Sequence, residues 1–251
     1  MKKLIYTGLA LMVFAATSCS KKYDDSPEPA ETLRGSVTDV VTGAGIQTEA
    51  SASSGTRVKL EELSYSATPT PTYFASMQDG TFNNTKVFKG HYRVSVEGPF
   101  VPLLQTDEAG TVVADNRKEV DISGVTTVNF QVEPFLNVEW VGEPTFNSAD
   151  STVSVQIKFS RGTSNPNFQQ NISDTYLFVN YLPYVANNNR VDRFSTRIDY
   201  SGNSAPVGQT VTIKSSGKLD LHRDFYLRVG TRIAYGQNYY NYSTVKKITI
   251  P

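Results

Sequence analysis

The chain has 251 residues, with 24 Lys and Arg against 24 Asp and Glu, so its formal net charge at pH 7 is zero and no polyanionic partner such as nucleic acid is implied. A single cysteine, Cys19, excludes an internal disulfide and a thiolate metal cage. Two histidines, His91 and His222, stand far apart without motif-like neighbours, so zinc or serine-triad chemistry is hard to assemble and no cofactor is expected.

The first element in chain order is a secretory signal. Met1-Lys2-Lys3 supplies positive charge and Leu4 to Ala16 an apolar stretch broken by Tyr6, Thr7 and Gly8. That stretch is well short of the roughly 20 apolar residues a spanning helix needs. Ala15-Ala16-Thr17-Ser18 then stands directly before Cys19, an arrangement that resembles a lipobox. The resemblance implies a signal peptide over residues 1–18, cleavage before Cys19 and diacylation of its thiol. Each buried methylene of such chains contributes about 0.8 kcal/mol, so the anchor holds a membrane without a transmembrane helix. Removing residues 1–18 takes away Lys2 and Lys3 and leaves 22 basic and 24 acidic side chains.

Residues 19–31 form the lipidated terminus and a linker. Ser20 to Glu31 is polar, contains Pro27 and Pro29, and has no apolar period. Asp24 and Asp25, behind Lys21 and Lys22, resemble the export signal that sends Bacteroidetes lipoproteins to the outer face of the outer membrane; a solvated linker with chance charges is the other reading.

From Leu33 onward short alternating runs are separated by Gly, Asn, Asp and Pro, which makes the body all-β. Thr56 to Leu63 puts Val58 and Leu60 on one face and Arg57, Lys59 and Glu61 on the other, a strand with one wet side. Tyr73 to Met77, the turn Gln78-Asp79-Gly80-Thr81 and Phe82 predict a hairpin, since Asp-Gly accepts the positive φ of a tight turn. Tyr92, Val94 and Val96 alternate as a further strand with His91 on its opposite, exposed side. Arg34 to Ile46 (RGSVTDVVTGAGI) resembles the opening strand and turn of carboxypeptidase regulatory-like domains, with Ala44 where proline is common. Asp79 to Phe82, Phe88 to Val96 and Thr126 to Val132 follow in the order of that fold. The resemblance implies a transthyretin-like β-sandwich over residues 32–134.

Residues 135–251 carry seven strand-like runs: Leu136 to Val141, Thr152 to Phe159, Thr175 to Tyr181, Arg193 to Tyr200, Thr210 to Lys214, Phe225 to Ile233 and Thr244 to Ile250. Seven runs with turn-rich separators predict an immunoglobulin- or fibronectin type III-like sandwich. Phe225, Leu227 and Val229 share one face and Tyr226 takes the other, so the tyrosine-corner position holds a phenylalanine.

Two stretches stand out chemically. Ala234 to Ser243 (AYGQNYYNYS) holds Tyr235, Asn238, Tyr239, Tyr240, Asn241 and Tyr242 with Gln237, and Tyr181 to Arg190 holds Tyr184 and Asn188 among three asparagines. Tyrosine combines a flat apolar face with a hydroxyl, and amides pair with hydroxyl-rich ligands, so these residues are candidate glycan contacts. Cross-strand packing of the same tyrosines is the structural alternative, and Trp140 reads as core. Asp107, Glu108, Asp115, Glu119 and Asp121 lack the spacing of a calcium loop, and no metal site is expected.

Taken together, the lipobox at Cys19, the strand and turn at Gly35 to Ile46, the block from Asp79 to Phe100 and the terminal hairpin resemble a two-domain Bacteroidetes lipoprotein family of unknown function that accompanies starch-utilisation-type glycan uptake systems. What this implies is a non-enzymatic accessory protein anchored in the outer membrane and facing the exterior. Its implied partners are an oligosaccharide or polysaccharide and an outer-membrane importer with its binding lipoprotein. A docking module without sugar affinity and a glycan-active enzyme are the alternatives.

Overall fold

The computed structural model describes residues 28–251; the predicted signal peptide, the lipidation site Cys19 and the linker through residue 27 lie outside the described residues. The first domain contains β1 (Glu31–Asp39), β2 (Arg57–Glu62), β3 (Thr72–Ala75), β4 (Thr81–Val87), β5 (Gly90–Glu97), β6 (Leu104–Thr106), β7 (Val112–Asp115), β8 (Lys118–Ile122), β9 (Val125–Thr127) and β10 (Phe130–Val132). One sheet sets β1 between antiparallel β4 and the short strands β9 and β10, which run parallel to successive parts of it. The facing sheet has the order β3-β2-β5-β8, and β6 and β7 form a separate hairpin.

Alternation decides which side chains meet between these sheets. Val58 and Leu60 of β2 and Tyr92, Val94 and Val96 of β5 point inward onto Leu33, Val37 and Phe130. Arg57, Lys59 and Glu61 take the outer face, as the sequence pattern predicts, and His91 is exposed on the same side. Glycine is required at Gly35, where a Cβ would lie 1.8 Å from the Val128 carbonyl oxygen.

One expectation is corrected. The Asp79-Gly80 turn forms, with Gly80 at φ +83° and the Asp79 carboxylate accepting from the Thr81 amide and hydroxyl, but it does not close a hairpin. β3 pairs with β2 and β4 with β1, so the turn carries the chain from one sheet to the other. Turn chemistry specifies the reversal; burial of Phe82 between the layers decides which sheet the next strand joins.

The second domain contains β11 (Leu136–Trp140), β12 (Thr145–Asn147), β13 (Thr152–Arg161), β14 (Ile172–Asn180), β15 (Thr196–Asp199), β16 (Thr210–Lys214), β17 (Arg223–Ile233), β18 (Asn241–Tyr242) and β19 (Lys246–Ile250). β11 and β12 share one edge of β13 and β16 takes the other. The facing sheet runs β15-β14-β17, with β18 and β19 sharing the last edge. This is the two-sheet layout of a fibronectin type III-like sandwich. All seven predicted runs are strands, but β15 starts at Thr196 because Val191 to Ser195 is held in turns, and the short β12 and β18 were not expected. Phe225, Leu227 and Val229 are fully buried, with Tyr226 on the opposite face.

The outer face of the β14-β17 sheet is covered as well. Phe178 is buried there against Tyr240 and Tyr242, with ring centroids 5.4 and 5.7 Å apart, beneath Val185 and Ala186 of the loop after β14. Gly230 lets the rings close over the strand: a Cβ there would sit 2.9 Å from the Phe178 ring and 3.0 Å from that of Tyr240.

The domains meet across a polar junction. Arg228 of β17 has no exposed surface and donates four hydrogen bonds: to the carbonyls of Ser243, Thr48 and Gln78 and to Gln47 Oε1. Its guanidinium also lies 4.4 Å from the centre of the Tyr242 ring. The Tyr242 hydroxyl donates to Glu49, which is also buried and accepts from the Asn188 amide. Asn241 Nδ2 donates to the Pro99 carbonyl at 2.8 Å. The connection between domains is pinned too, since Val101 donates to Glu133 and Phe135 to Pro99 through their amides. Burial pulls the Arg228 guanidinium down to about 10, partly offset by Tyr242, Tyr184 and Glu49, which leaves it charged at neutral pH. Removing one member of such a buried charged network costs about 3–5 kcal/mol. Arg228→Ala is therefore expected to lower unfolding free energy by that amount and to split a single calorimetric transition into two. A loss below about 1 kcal/mol in urea titration would mean that other contacts hold the junction.

Candidate functional site

Two clefts flank this junction. The first, of about 310 Å³, is lined from the first domain by Arg57, Lys59, Glu97 and Arg117 and from the second by Tyr235 and Tyr239, with Gln237 at its edge. β2 and β5 place the ionic wall, because Arg57 stands opposite Glu97 in their register. Arg57 donates through Nε and Nη2 to Glu97 Oε2 at 2.8 and 2.6 Å, and its guanidinium lies 4.2 Å from the centre of the Tyr73 ring. Burial pulls the Arg57 guanidinium down, but the hydrogen bond and charge of Glu97 outweigh it and leave the value raised.

The second wall comes from the turn after β17. Tyr235 is half-buried, and the edge-on rings of Phe135 and Phe168, 5.4 and 5.3 Å away, fix its orientation. Gly236 and Asn238 both adopt φ of +55°, and the Asn238 amide closes the turn onto the Tyr235 carbonyl. Asparagine tolerates this left-handed conformation better than most residues, so its position follows from the turn, with its side chain exposed. Tyr239 is 8 % exposed, and its hydroxyl has no hydrogen-bond partner. Burial pushes that hydroxyl up, Arg57 opposing the shift.

The remaining tyrosines correct the expectation of an open sugar-binding loop. Tyr240 and Tyr242 pack on Phe178, and the Tyr240 hydroxyl donates to the buried Asp174 carboxylate, which also accepts from Arg232 Nε at 2.7 Å. Burial, then Asp174, pushes the Tyr240 hydroxyl up; burial, then Glu49, does the same to Tyr242. Asn241 is buried against Pro99. Side-chain alternation into β18 sends the rings of Tyr240 and Tyr242 to the covered face of the sheet, where they are buried. Tyr184 and Asn188 belong to the junction, the Tyr184 hydroxyl accepting from the Ala50 amide and the Asn188 amide donating to Glu49. Of the eight predicted contacts, Tyr235 and Tyr239 line the first cleft, Asn238 is at the tip of the turn beside it, and the other five serve packing or the junction.

What sequence reasoning missed is the ionic wall. The alternation of Arg57, Lys59 and Glu61 marked a wet face, but nothing local said that the second domain would lean over it. The second cleft, of about 370 Å³, includes Trp140, Asn241 and Tyr242. Trp140 is half-buried and its indole N–H donates to the Thr244 carbonyl at 2.9 Å. Among the described residues no group of three His, Cys, Asp or Glu side chains is placed to hold a metal ion. Four of the five acidic residues are partnered within the first domain: Asp107 caps its turn, Asp115 pairs with Arg117, Glu119 with Arg93, and Asp121 with His91, while Glu108 is exposed.

Comparison with known proteins fits this two-domain geometry. Residues 31–133 match a protein family of unknown function, the DUF3823 N-terminal domain, and residues 140–247 match the DUF3823 C-terminal domain. The chain belongs to the DUF3823 family. A DUF3823 protein of known structure from Bacteroides uniformis is 36 % identical, with a TM-score of 0.81, over 89 % of this chain and 100 % of that one. A DUF3823 protein from Parabacteroides merdae shares the fold at 19 % identity and a TM-score of 0.63, over 90 % of this chain and 100 % of its own. A further B. uniformis protein, provisionally described as carbohydrate binding, shares it at 20 % identity and a TM-score of 0.65, over 88 % of this chain and 100 % of that one. No curated protein matches the chain.

The two adjacent tyrosines of this DUF3823 protein make opposite predictions. Tyr240→Phe removes a hydrogen bond to a buried carboxylate and is expected to cost about 1.5–3 kcal/mol in chemical denaturation. Tyr239→Phe removes a buried hydroxyl without a partner and is expected to leave stability unchanged or to raise it by up to about 1–3 kcal/mol, the desolvation cost relieved. Equal losses from both would contradict the assignment.

Proposed function

We propose that this DUF3823 protein is a non-enzymatic lipoprotein of the outer membrane, anchored through Cys19 and facing the exterior, whose first interdomain cleft binds an oligosaccharide or polysaccharide during glycan uptake. The observation that carries this is the Tyr235 ring, pinned by Phe135 and Phe168 at the rim of a cleft whose other wall is a fixed array of donors and acceptors. A pre-oriented aromatic face binds a sugar ring without first being ordered, and the polar wall can pair with its hydroxyls.

The fold shared with the provisionally carbohydrate-binding B. uniformis protein supports the reading. So does the resemblance of Gly35 to Ile46 to carboxypeptidase regulatory-like domains and of the whole chain to accessories of starch-utilisation-type systems. An importer and its binding lipoprotein would then be its neighbours in the membrane. Binding is favoured over hydrolysis because a glycosidase needs two carboxyl groups about 5–9.5 Å apart across the scissile bond. Glu97 is the carboxylate that lines this cleft, and it is engaged by Arg57.

Isothermal titration against a panel of oligosaccharides tests the cleft. Tyr235→Ala and Gln237→Ala are each expected to weaken binding about tenfold or more, equivalent to about 1.4 kcal/mol. Tyr240→Phe, corrected for any unfolded fraction, is expected to leave affinity unchanged. Binding that survives Tyr235→Ala would place the ligand elsewhere. Co-purification with outer-membrane proteins and no sugar affinity would favour a docking module. Radiolabelled palmitate is expected to enter the wild type and not Cys19→Ala; labelling of both would remove the anchor.

A further inference from the structure

We infer that the first interdomain cleft selects uncharged, hydroxyl-rich saccharides and discriminates against uronate- or sulfate-bearing ones. This rests on the cleft being a saccharide site and adds the charge class of its occupant.

The lining looks basic until its ion pairs are followed outward. Arg57 is held by Glu97 at 2.6 Å, Lys59 by Glu61 at 3.3 Å, and Arg117 by Asp115 at 2.7 Å, with Glu61 a further 3.6 Å from Arg117. Three cations therefore meet three carboxylates, and the adjacent Arg93 is matched by Glu119 at 2.7 Å. The hydrogen bond from Arg117 holds the Asp115 carboxyl at about 2, and Asp115 in turn raises Arg117, so this pair keeps its charges across the physiological range. An anionic ligand would have to displace one of these carboxylates or bring an uncompensated negative charge up against Glu97. Electrostatic complementarity decides specificity by penalising such like-charge contacts.

An uncharged polyol meets no such penalty. Both Arg57 contacts fall on Glu97 Oε2, which leaves Oε1 as an acceptor at the cleft, while Arg57 Nη1 has only a long 3.4 Å contact to the Ala52 carbonyl. Tyr239 lines the same cleft, and its buried hydroxyl is unpartnered. Donor and acceptor side chains thus line the same cleft as Tyr235. Vicinal hydroxyls of a sugar, each both donor and acceptor, match that pairing.

The test uses the full chain purified in a detergent without a sugar headgroup. Isothermal titration compares neutral hexose and pentose oligosaccharides with oligogalacturonate and a sulfated oligosaccharide, each at low and high sodium chloride. The expected result is binding of a neutral oligosaccharide with affinity changed less than about twofold by salt, because no charge is neutralised, and at least tenfold weaker binding of the acidic sugars. Glu97→Gln, which leaves the wall with one excess positive charge, is expected to improve binding of the acidic sugars at least tenfold relative to the neutral one. Acidic sugars binding as tightly as neutral ones to the wild type, or an affinity that falls steeply with salt, would overturn the charge selectivity and leave the cleft as a saccharide site. No binding by either class would overturn both.

Discussion

A guanidinium with no access to water must find its acceptors inside the protein, and Arg228 finds three of its four in the other domain. That requirement organises much of the molecule. Thr48 and Gln78 belong to irregular segments of the first domain, and holding their carbonyls around Arg228 brings those segments against β17. Glu49, next to Thr48, is carried in with them and is satisfied by Tyr242 and the Asn188 amide. The two sandwiches are thereby joined by directional bonds, which specify an orientation where a greasy contact would allow sliding. A stretch of chain that composition marks as an adaptable binding loop is instead largely consumed in building this junction.

How much of this was legible in the sequence follows from the range of each interaction. Alternation in β2, β5 and β17 is local, and the buried sets Val58/Leu60, Tyr92/Val94/Val96 and Phe225/Leu227/Val229 could be read directly. The positive φ of Gly80 was legible for the same reason, while the sheet assignment of the strand after it was not, because it depends on which layer buries Phe82. Composition leaves both an open loop and cross-strand packing for Tyr240 and Tyr242, and packing prevails because loop residues Val185 and Ala186 return over the outer face, a contact no local window contains. The contact between Arg228 and Thr48 spans 180 residues, and no window of the sequence contains both. Arg57 and Glu97 were visible as surface charges, but their role depends on Tyr235 arriving from the other domain.

The division of labour among the tyrosines shows how one composition serves two ends. Along the extended segment leading into β18 the side-chain period of two separates them: Tyr240 and Tyr242 close the mini-core and the junction, while Tyr239 is turned toward the first domain. Tyr235 precedes this strand in a turn whose left-handed residues, Gly236 and Asn238, set where the ring stands. Each tyrosine in the structural set has its hydroxyl satisfied by a carboxylate, Asp174 or Glu49. The one facing the ionic wall does not.

That difference has an energetic reading. A buried hydroxyl without a partner carries a desolvation cost of about 1–3 kcal/mol, and fixing Arg57 against Glu97 with Tyr73 stacked on it limits how far the wall can relax to meet it. A rigid junction is what permits such a mismatch to persist, since domains free to shift would close on the hydroxyl or expose it to water. The bonds of Arg228 keep the two walls at their separation, so Tyr239 holds its place in the cleft lining with its buried hydroxyl unpaired. Stability invested in the junction and incompleteness left in the cleft are, on this argument, two consequences of the same arrangement.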